Sequence, residues 1–532
     1  MRFYEHNFPS RRSVVMSRRA MVASSQPLAV EAAINTLRSG GNAIDAAVTA
    51  TFVLSVVEPM STGLGGDGFA LIYLSKKERL VGINASGRSP RASTVDALIE
   101  RGINQMPLEG PMSITVPGFL DGLAQCLARH GTVSLRDALQ PAIFYAENGF
   151  PVTEITAQLW ARKSDKLRGN SESARIYLPE GKAPEPGQLF RNPELAQTFR
   201  SIAAGGIDVF YRGDIGEKIV TAVRDLGGLI SRADLTEHIS DWVEPIKASY
   251  RGYEVIEMPP NNQGLAALIA LNIVEGYRLF EMTHNSSRYL HCLIEAMKLA
   301  LSDAQNNVGD PDVSTQIDSL LSKDHAEELR AQIDTHKSGN VGGENSEDIS
   351  GDTVYVAVVD EQRNVVSMIS SLFKAFGSGV TVPGTGLLLQ NRGSGFRFES
   401  DHPNTLAPGK RPYHTIMPAM IMRDNQPWAC FGLVGGLMQP QGHLQVVCNL
   451  IDFEMNPQAA LDAPRFRVLE GGMLALEDGL SENVCGQLAS LGHNVASDST
   501  EEGFGGGQIL VMSGGMLYGG SDKRKDGCAI GY

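Results

Sequence analysis

Residue 353 is a threonine set between two unlike stretches of chain. Before it, residues 334–352 read DTHKSGNVGGENSEDISGD, where Gly, Ser, Asn and charge surround just two large apolar residues, Val341 and Ile349. Such a segment buries too little surface to offset its ordering entropy and is expected to be flexible. After it, VYVAVV reads as a strand covered on both faces. A hydroxyl is a poor nucleophile unless a base stands beside it. If the Asp352–Thr353 bond were cut, Thr353 would gain an α-amine of ordinary pKa about 7.7–8.0. That amine could take the proton from its own side chain, directly or through water, as in triads built on an N-terminal threonine. The preceding segment then suits a cleavable linker and the strand a rigid mount. A threonine that merely opens a strand is the plainer reading of the same residues.

Three other chemistries have weaker support. GLGGDG (63–68) matches a dinucleotide fingerprint by spacing, but a helix-like run precedes it and a strand-like run follows, the reverse of what that fingerprint needs. A glycine turn, or backbone N–H groups near a ligand, is the expectation there. The eleven histidines are dispersed, with no HExxH and no close His/Cys cluster, so no metal and no cofactor is expected. His291 in YLHCLI reads as a helix histidine with its bonds satisfied. A Ser/His/Asp hydrolase would need a G-x-S-x-G elbow, which is absent.

The elements that must position Thr353 follow from pattern. The chain has 532 residues, 42% hydrophobic and 20% charged, a globular balance with ample length for a large core. Residues 27–41 predict a helix with Pro27 near its start and Gly40–Gly41 past its end, and residues 42–58 a second helix capped by Asn42. Residues 69–75 and 253–258 predict strands, and 286–307 a further helix. Beyond 352 strand signals dominate. The chain therefore divides into a helix-rich large part, 1–352, and a strand-rich small part, 353–532. Net charge is −14, and SRR (10–12) and KRK (523–525) are short, expected to be solvated surface; nucleic acid and anionic membrane are poor partners. No apolar stretch reaches spanning length, and the N-terminus lacks the apolar core of a signal peptide. The six cysteines form no CxxC, which favours reduced thiols and a cytoplasmic setting, with Cys448 a small core residue.

The surrounding blocks carry a resemblance. MVASSQPLAVEAAINTLRSGGNAIDAAVTATFVLSVVEPMSTGLGGDGF (21–69), SITVPGFLDGL (113–123), PPNNQGLAAL (259–268), TVYVAVVDEQRNVVSM, FGSG, PGTGLLLQNR, GKRPYHTIMPAMI, GLVGG, APRFRV and SDKRKDGCAIGY occur in the order seen in γ-glutamyltransferases. The chain resembles that family over nearly its whole length. The resemblance implies an α+β fold, the αββα sandwich of N-terminal nucleophile hydrolases. It also implies a precursor that cuts itself between Asp352 and Thr353 into associated large and small subunits. A dimer of such heterodimers is left open. Thr353 then falls on the nucleophile and Ser371 on a hydroxyl residue that bonds it. Gly435 and Gly436 fall on the oxyanion hole, where only glycine lets backbone approach so closely.

The substrate positions depart from the family pattern. Ser86 stands where the carboxylate-binding Arg is expected, with Arg88 two residues on. Phe373, Arg392 and Gly395 stand where acceptors for the glutamyl ammonium are expected. Arg88 and Arg392 are expected to form a bidentate carboxylate site, with Tyr413, His414 and Thr415 in the same pocket. The pattern is similar to the glutathione hydrolase-like and cephalosporin-acylase-like branch. Hydrolysis of a small carboxylated amide, oxamate foremost, is the expectation. Glutathione hydrolysis or transfer, a cephalosporin-type acylase, and a degenerate binding scaffold are the alternatives.

Overall fold

A helix cap starts the layer that backs Thr353. Asn42 accepts from the backbone N–H groups of Ile44 and Asp45, and Asp45 returns a bond to the N–H of Asn42, a capping box. The computed structural model describes residues 12–314, 316–339, 352–496 and 501–532. Helix α1 runs Pro27–Arg38 and α2 Ala43–Val57, with Gly40 at φ 96° between them. Helices α3 (Gly264–Val274), α4 (Ser287–Asn307) and α5 (Met438–Ile451) form a second layer.

Between the layers lie two seven-stranded antiparallel sheets. The strands, in chain order, are β1 (Val15–Ser17), β2 (Met21–Ser24), β3 (Asp67–Leu74), β4 (Arg79–Ala85), β5 (Asp241–Val243), β6 (Ile246–Tyr250) and β7 (Tyr253–Glu257). There follow β8 (Asp352–Val359), β9 (Val365–Phe373), β10 (Ala419–Arg423), β11 (Gln426–Leu433), β12 (Gly507–Ser513), β13 (Met516–Ser521) and β14 (Cys528–Gly531). One sheet has the order β14-β2-β8-β9-β3-β4-β5, the other β1-β13-β12-β11-β10-β7-β6. Both sheets draw strands from both sides of residue 352, so the two expected subunits share one core.

The apolar run of β8 now has its reason. Val354, Val356 and Val358 pack in the cluster that holds α1 and α2. Tyr355, Ala357 and Val359 alternate with them and join the core between the sheets, against Met420, Cys430 and Leu510. The far face of the second sheet packs Ala429, Phe431 and Ile509 against Leu268, Ile269 and Val446 of α3 and α5. The result is helix, sheet, sheet, helix. Cys448 is fully buried as expected, and none of the six cysteines is disulfide-bonded. Among the described residues no helix is long and apolar enough to cross a membrane.

Two expectations change. The 523–525 stretch is not solvated surface: Arg524 pairs with Glu477 and Asp522, and Arg465 also bonds Asp522, in a largely buried ionic network. The expected flexible segment is tied down at its start, where the Ser338 N–H donates to Leu491 O at 2.7 Å and the Gly339 N–H to Glu295 Oε2 at 2.9 Å. Residues 340–351 of that segment, and 10–11 of the other basic stretch, lie outside the described residues.

The GLGGDG stretch is a close-approach turn. A Cβ on Gly65 would land on the Leu388 carbonyl, and one on Gly66 would sit 2.5 Å from Ser371 O, whereas one on Gly63 would meet nothing nearer than 3.9 Å. Gly65→Ala and Gly66→Ala are therefore expected to destabilise by at least about 2 kcal/mol. Gly63→Ala should stay within about 0.5 kcal/mol of the parent. Urea unfolding midpoints of the three variants check this.

Candidate active site

Thr353 sits at a break in the ladder between β8 and β9. Asp352 pairs with Phe373 and Val354 with Ser370, so Ser371 and Leu372 together stand opposite Thr353. This bulge, the kind that re-aims side chains at reactive sites, brings the Ser371 hydroxyl to the Asp352 peptide. Ser371 Oγ donates to Asp352 O at 2.6 Å and accepts from the Phe373 N–H at 2.7 Å. Thr353 itself is buried. The carbonyl that the Thr353 hydroxyl would have to attack is thus already polarised by a hydrogen-bond donor.

From Ser371 a chain of contacts runs through the other residues expected in the site. Phe373, at φ 82°, lies beneath the Arg392 guanidinium, whose Cζ is 4.0 Å from the ring centroid. Arg392 Nη1 donates to Thr415 Oγ1 at 2.9 Å. The Thr415 carbonyl accepts from Gln263 Nε2 at 2.5 Å, and the same nitrogen donates to Gly436 O at 3.0 Å. Tyr413 closes this group by donating its hydroxyl to Gln263 Oε1 at 3.2 Å. Gly435 and Gly436 have φ values of 120° and 62°, conformations that glycine takes without strain. They lead from β11 into α5, and their carbonyls accept from the N–H groups of Met438 and Gln439. Among the described residues neither glycine N–H has a partner, so two amides at a helix N-terminus are available to an oxyanion.

The electrostatics centre on Arg392. Its side chain is fully buried, and its Nε and Nη2 donors have no partner among the described residues. Burial draws the guanidinium down to about 9, with Asp67 opposing. Burial likewise pushes the Asp67 carboxyl from its ordinary 3.8 up to about 6, against the pull of Arg392 and of hydrogen bonds from Gly87, Gln390 and Gly118. His414 Nε2 lies 3.3 Å from Asp67 Oδ2, and burial, then Arg392 and Arg411, hold its imidazole well below the usual range.

Arg88, expected to join Arg392 around a carboxylate, is engaged by other residues. Arg88, about one-third exposed, directs Nη2 to Asp241 Oδ2 at 3.2 Å and Nη1 to the Ile239 carbonyl. Its charge is already met there, by Asp241 on β5, the edge strand of the sheet that holds Thr353. Arg411 shares Asp241 and donates Nε to Ser86 O at 3.0 Å. Asp67, Gln263 and Arg411 are members of the constellation that sequence reasoning missed. Asp67 stood in the glycine motif, but nothing local announces a partner more than three hundred residues away. Of the histidines, His291 has both ring nitrogens engaged, as expected, yet one partner is His493, a neighbour that dispersal in sequence concealed.

The chain matches known proteins over nearly its whole length. The family profile described as gamma-glutamyltranspeptidase matches residues 29–532. The glutathione hydrolase-like YwrD proenzyme of Bacillus subtilis is 37% identical, covering 97% of this chain and 99% of its own length. The oxamate amidohydrolase proenzyme of Klebsiella pneumoniae is 32% identical over 97% of this chain and 99% of its own. The crystal structure of cephalosporin acylase from Bacillus halodurans superposes with a TM-score of 0.92 at 41% identity, covering 99% of this chain and 98% of its own.

The buried Asp67 carboxyl has a stability signature. Its folded pKa lies above the unfolded one, so the folded chain holds a proton that the unfolded chain has released between about pH 4 and 6. Stability from this group is full at pH below 3.8 and is lost as pH rises through 6. Asp67→Asn should therefore gain on the parent as pH rises from 4 to 6, the gap levelling off above. Urea midpoints of both proteins at pH 4, 5, 6 and 7 check the sign.

Proposed function

This chain belongs to the gamma-glutamyltranspeptidase family, and from that premise we propose that it is a self-processing amidohydrolase acting on a small amide that carries a carboxylate and no ammonium, oxamate foremost. It is an enzyme of the N-terminal nucleophile class. The observation that carries the substrate reading is the Arg392 guanidinium, fully buried with two donors unpartnered among the described residues. A buried cation in that state calls for an anion, and a planar carboxylate fits its fork. An ammonium there would meet Arg392 and Phe373, neither of which accepts a hydrogen bond.

Processing begins with the Thr353 hydroxyl attacking the Asp352 carbonyl carbon. The Ser371 hydroxyl, already on that oxygen, stabilises the charge that develops. The peptide C–N bond breaks, the amine takes the proton, and water hydrolyses the resulting ester, leaving residues 1–352 and 353–532. In turnover the freed α-amine accepts the Thr353 hydroxyl proton as the oxygen attacks the substrate amide. The Gly435 and Gly436 N–H groups hold the oxyanion, and ammonia leaves with the proton from the amine. Water, activated by the same amine, then releases the acid. The Met438 N–H holds the Gly435 carbonyl, which shares a peptide plane with the Gly436 N–H, and Gln263 anchors the Gly436 carbonyl on the next plane.

Thr353→Ala should abolish both processing and turnover, and Ser371→Ala should slow both. Arg392→Ala should lower kcat/KM for oxamate at least thirtyfold, the equivalent of about 2 kcal/mol for an unpaired buried charge, without preventing processing; Arg392→Lys should recover part of it. Steady-state ammonia release from oxamate, with glutathione assayed in parallel, tests the reading. Equal kcat/KM for glutathione and oxamate in the processed enzyme would overturn it.

A further inference from the structure

His291 and Glu295 stand one turn apart on the same face of α4, and the 491–496 segment brings His493 against them. All three are buried, and their nearest ligand atoms lie within 4.8 Å of one another. His291 Nδ1 and His493 Nε2 face each other at 2.8 Å. His291 Nε2 meets the Asp334 carbonyl at 2.9 Å, so it carries the proton and leaves Nδ1 as a bare lone pair. A histidine whose outer N–H is held by a backbone carbonyl has the orientation of a metal ligand. Among the described residues His493 Nδ1, buried, has no hydrogen-bond partner, and it lies 3.8 Å from Glu295 Oε1. With a cation on Nε2 the His493 proton moves to Nδ1, which faces that carboxylate.

We propose that His291 Nδ1, His493 Nε2 and a Glu295 carboxylate oxygen form a binding site for a divalent transition-metal ion of the zinc type, which fastens the start of the segment leading to Asp352. Two imidazoles and a carboxylate suit such an ion, and a tetrahedral centre needs the two nitrogens roughly half an ångström further apart than they stand. The competing cation is Lys298, whose Nζ is 2.8 Å from Glu295 Oε1 and also donates to Ser338 Oγ at 2.8 Å. A metal ion displaces the ammonium from Glu295. The consequence for the chain is direct. His291 grips Asp334 O, and Glu295 Oε2 accepts from the Gly339 N–H, so an ion that fixes both ligands fixes residues 334–339. The site stands whether or not the chain cleaves itself.

The test uses the full chain, stripped with chelator and dialysed against zinc chloride, with cobalt chloride as an optical probe. One zinc per chain is expected, with the visible absorption of four-coordinate cobalt. His291→Gln and His493→Gln should each weaken affinity at least tenfold, and Lys298→Met should strengthen it. Zinc should also slow tryptic cleavage after Lys337 in the parent and not in His493→Gln. No retained zinc in the parent, or equal retention in His493→Gln, overturns the proposal. If the histidine variants fail to fold, Lys298→Met decides, and an unchanged zinc affinity there overturns it.

Discussion

The bond from Ser371 to the Asp352 carbonyl is the constraint on which the site depends. It exists because β9 carries one residue more than β8 at this point, which places Ser371 and Leu372 opposite Thr353. The bulge is held from behind. Gly66 brings its backbone against Ser371 O with no room for a side chain, and the Leu372 N–H donates to Ser61 O at 3.0 Å. Below, the two faces of β8 are locked by both cores. The Ser371 hydroxyl and the Asp352 carbonyl are thereby fixed before any reaction, which is how a weak nucleophile gains rate from position.

Around that centre the charges are arranged against water. Arg392 is stacked on Phe373, bonded once to Thr415 and otherwise unsatisfied among the described residues, with Asp67 close enough to act on it through space. A guanidinium in this state is more weakly solvated than an ammonium and keeps a planar fork ready. Asp67 is itself saturated by Gly87, Gln390 and His414, so it moderates Arg392 without occupying its free donors. The positive charge at the site is retained, and the Phe373 side chain beneath it offers an aromatic face and no acceptor.

What the sequence disclosed was local. Asn42 and Asp45 announce a capping box, the alternation in VYVAVV announces a strand buried on both faces, and the seam at Thr353 is a change of composition within a few residues. The order of family blocks carried Ser371, Gly435 and Gly436, and the structure places these on one continuous chain of contacts. What stayed hidden was pairing across distance. Arg88 looked available because Asp241 is far along the chain, and Arg524 looked like surface because Glu477 and Asp522 reach it only in the fold. The same holds for His493, which turns the head of a composition-flexible segment into an anchored one.

The most direct measurement of the account is the intact mass of the purified chain. A nucleophile at Thr353 requires a free amine there, and hence two associated fragments with masses of residues 1–352 and 353–532. The account predicts that pair of masses, with Thr353 as the new N-terminus. A mature protein of single full-length mass, or one cut at any other bond, would contradict it.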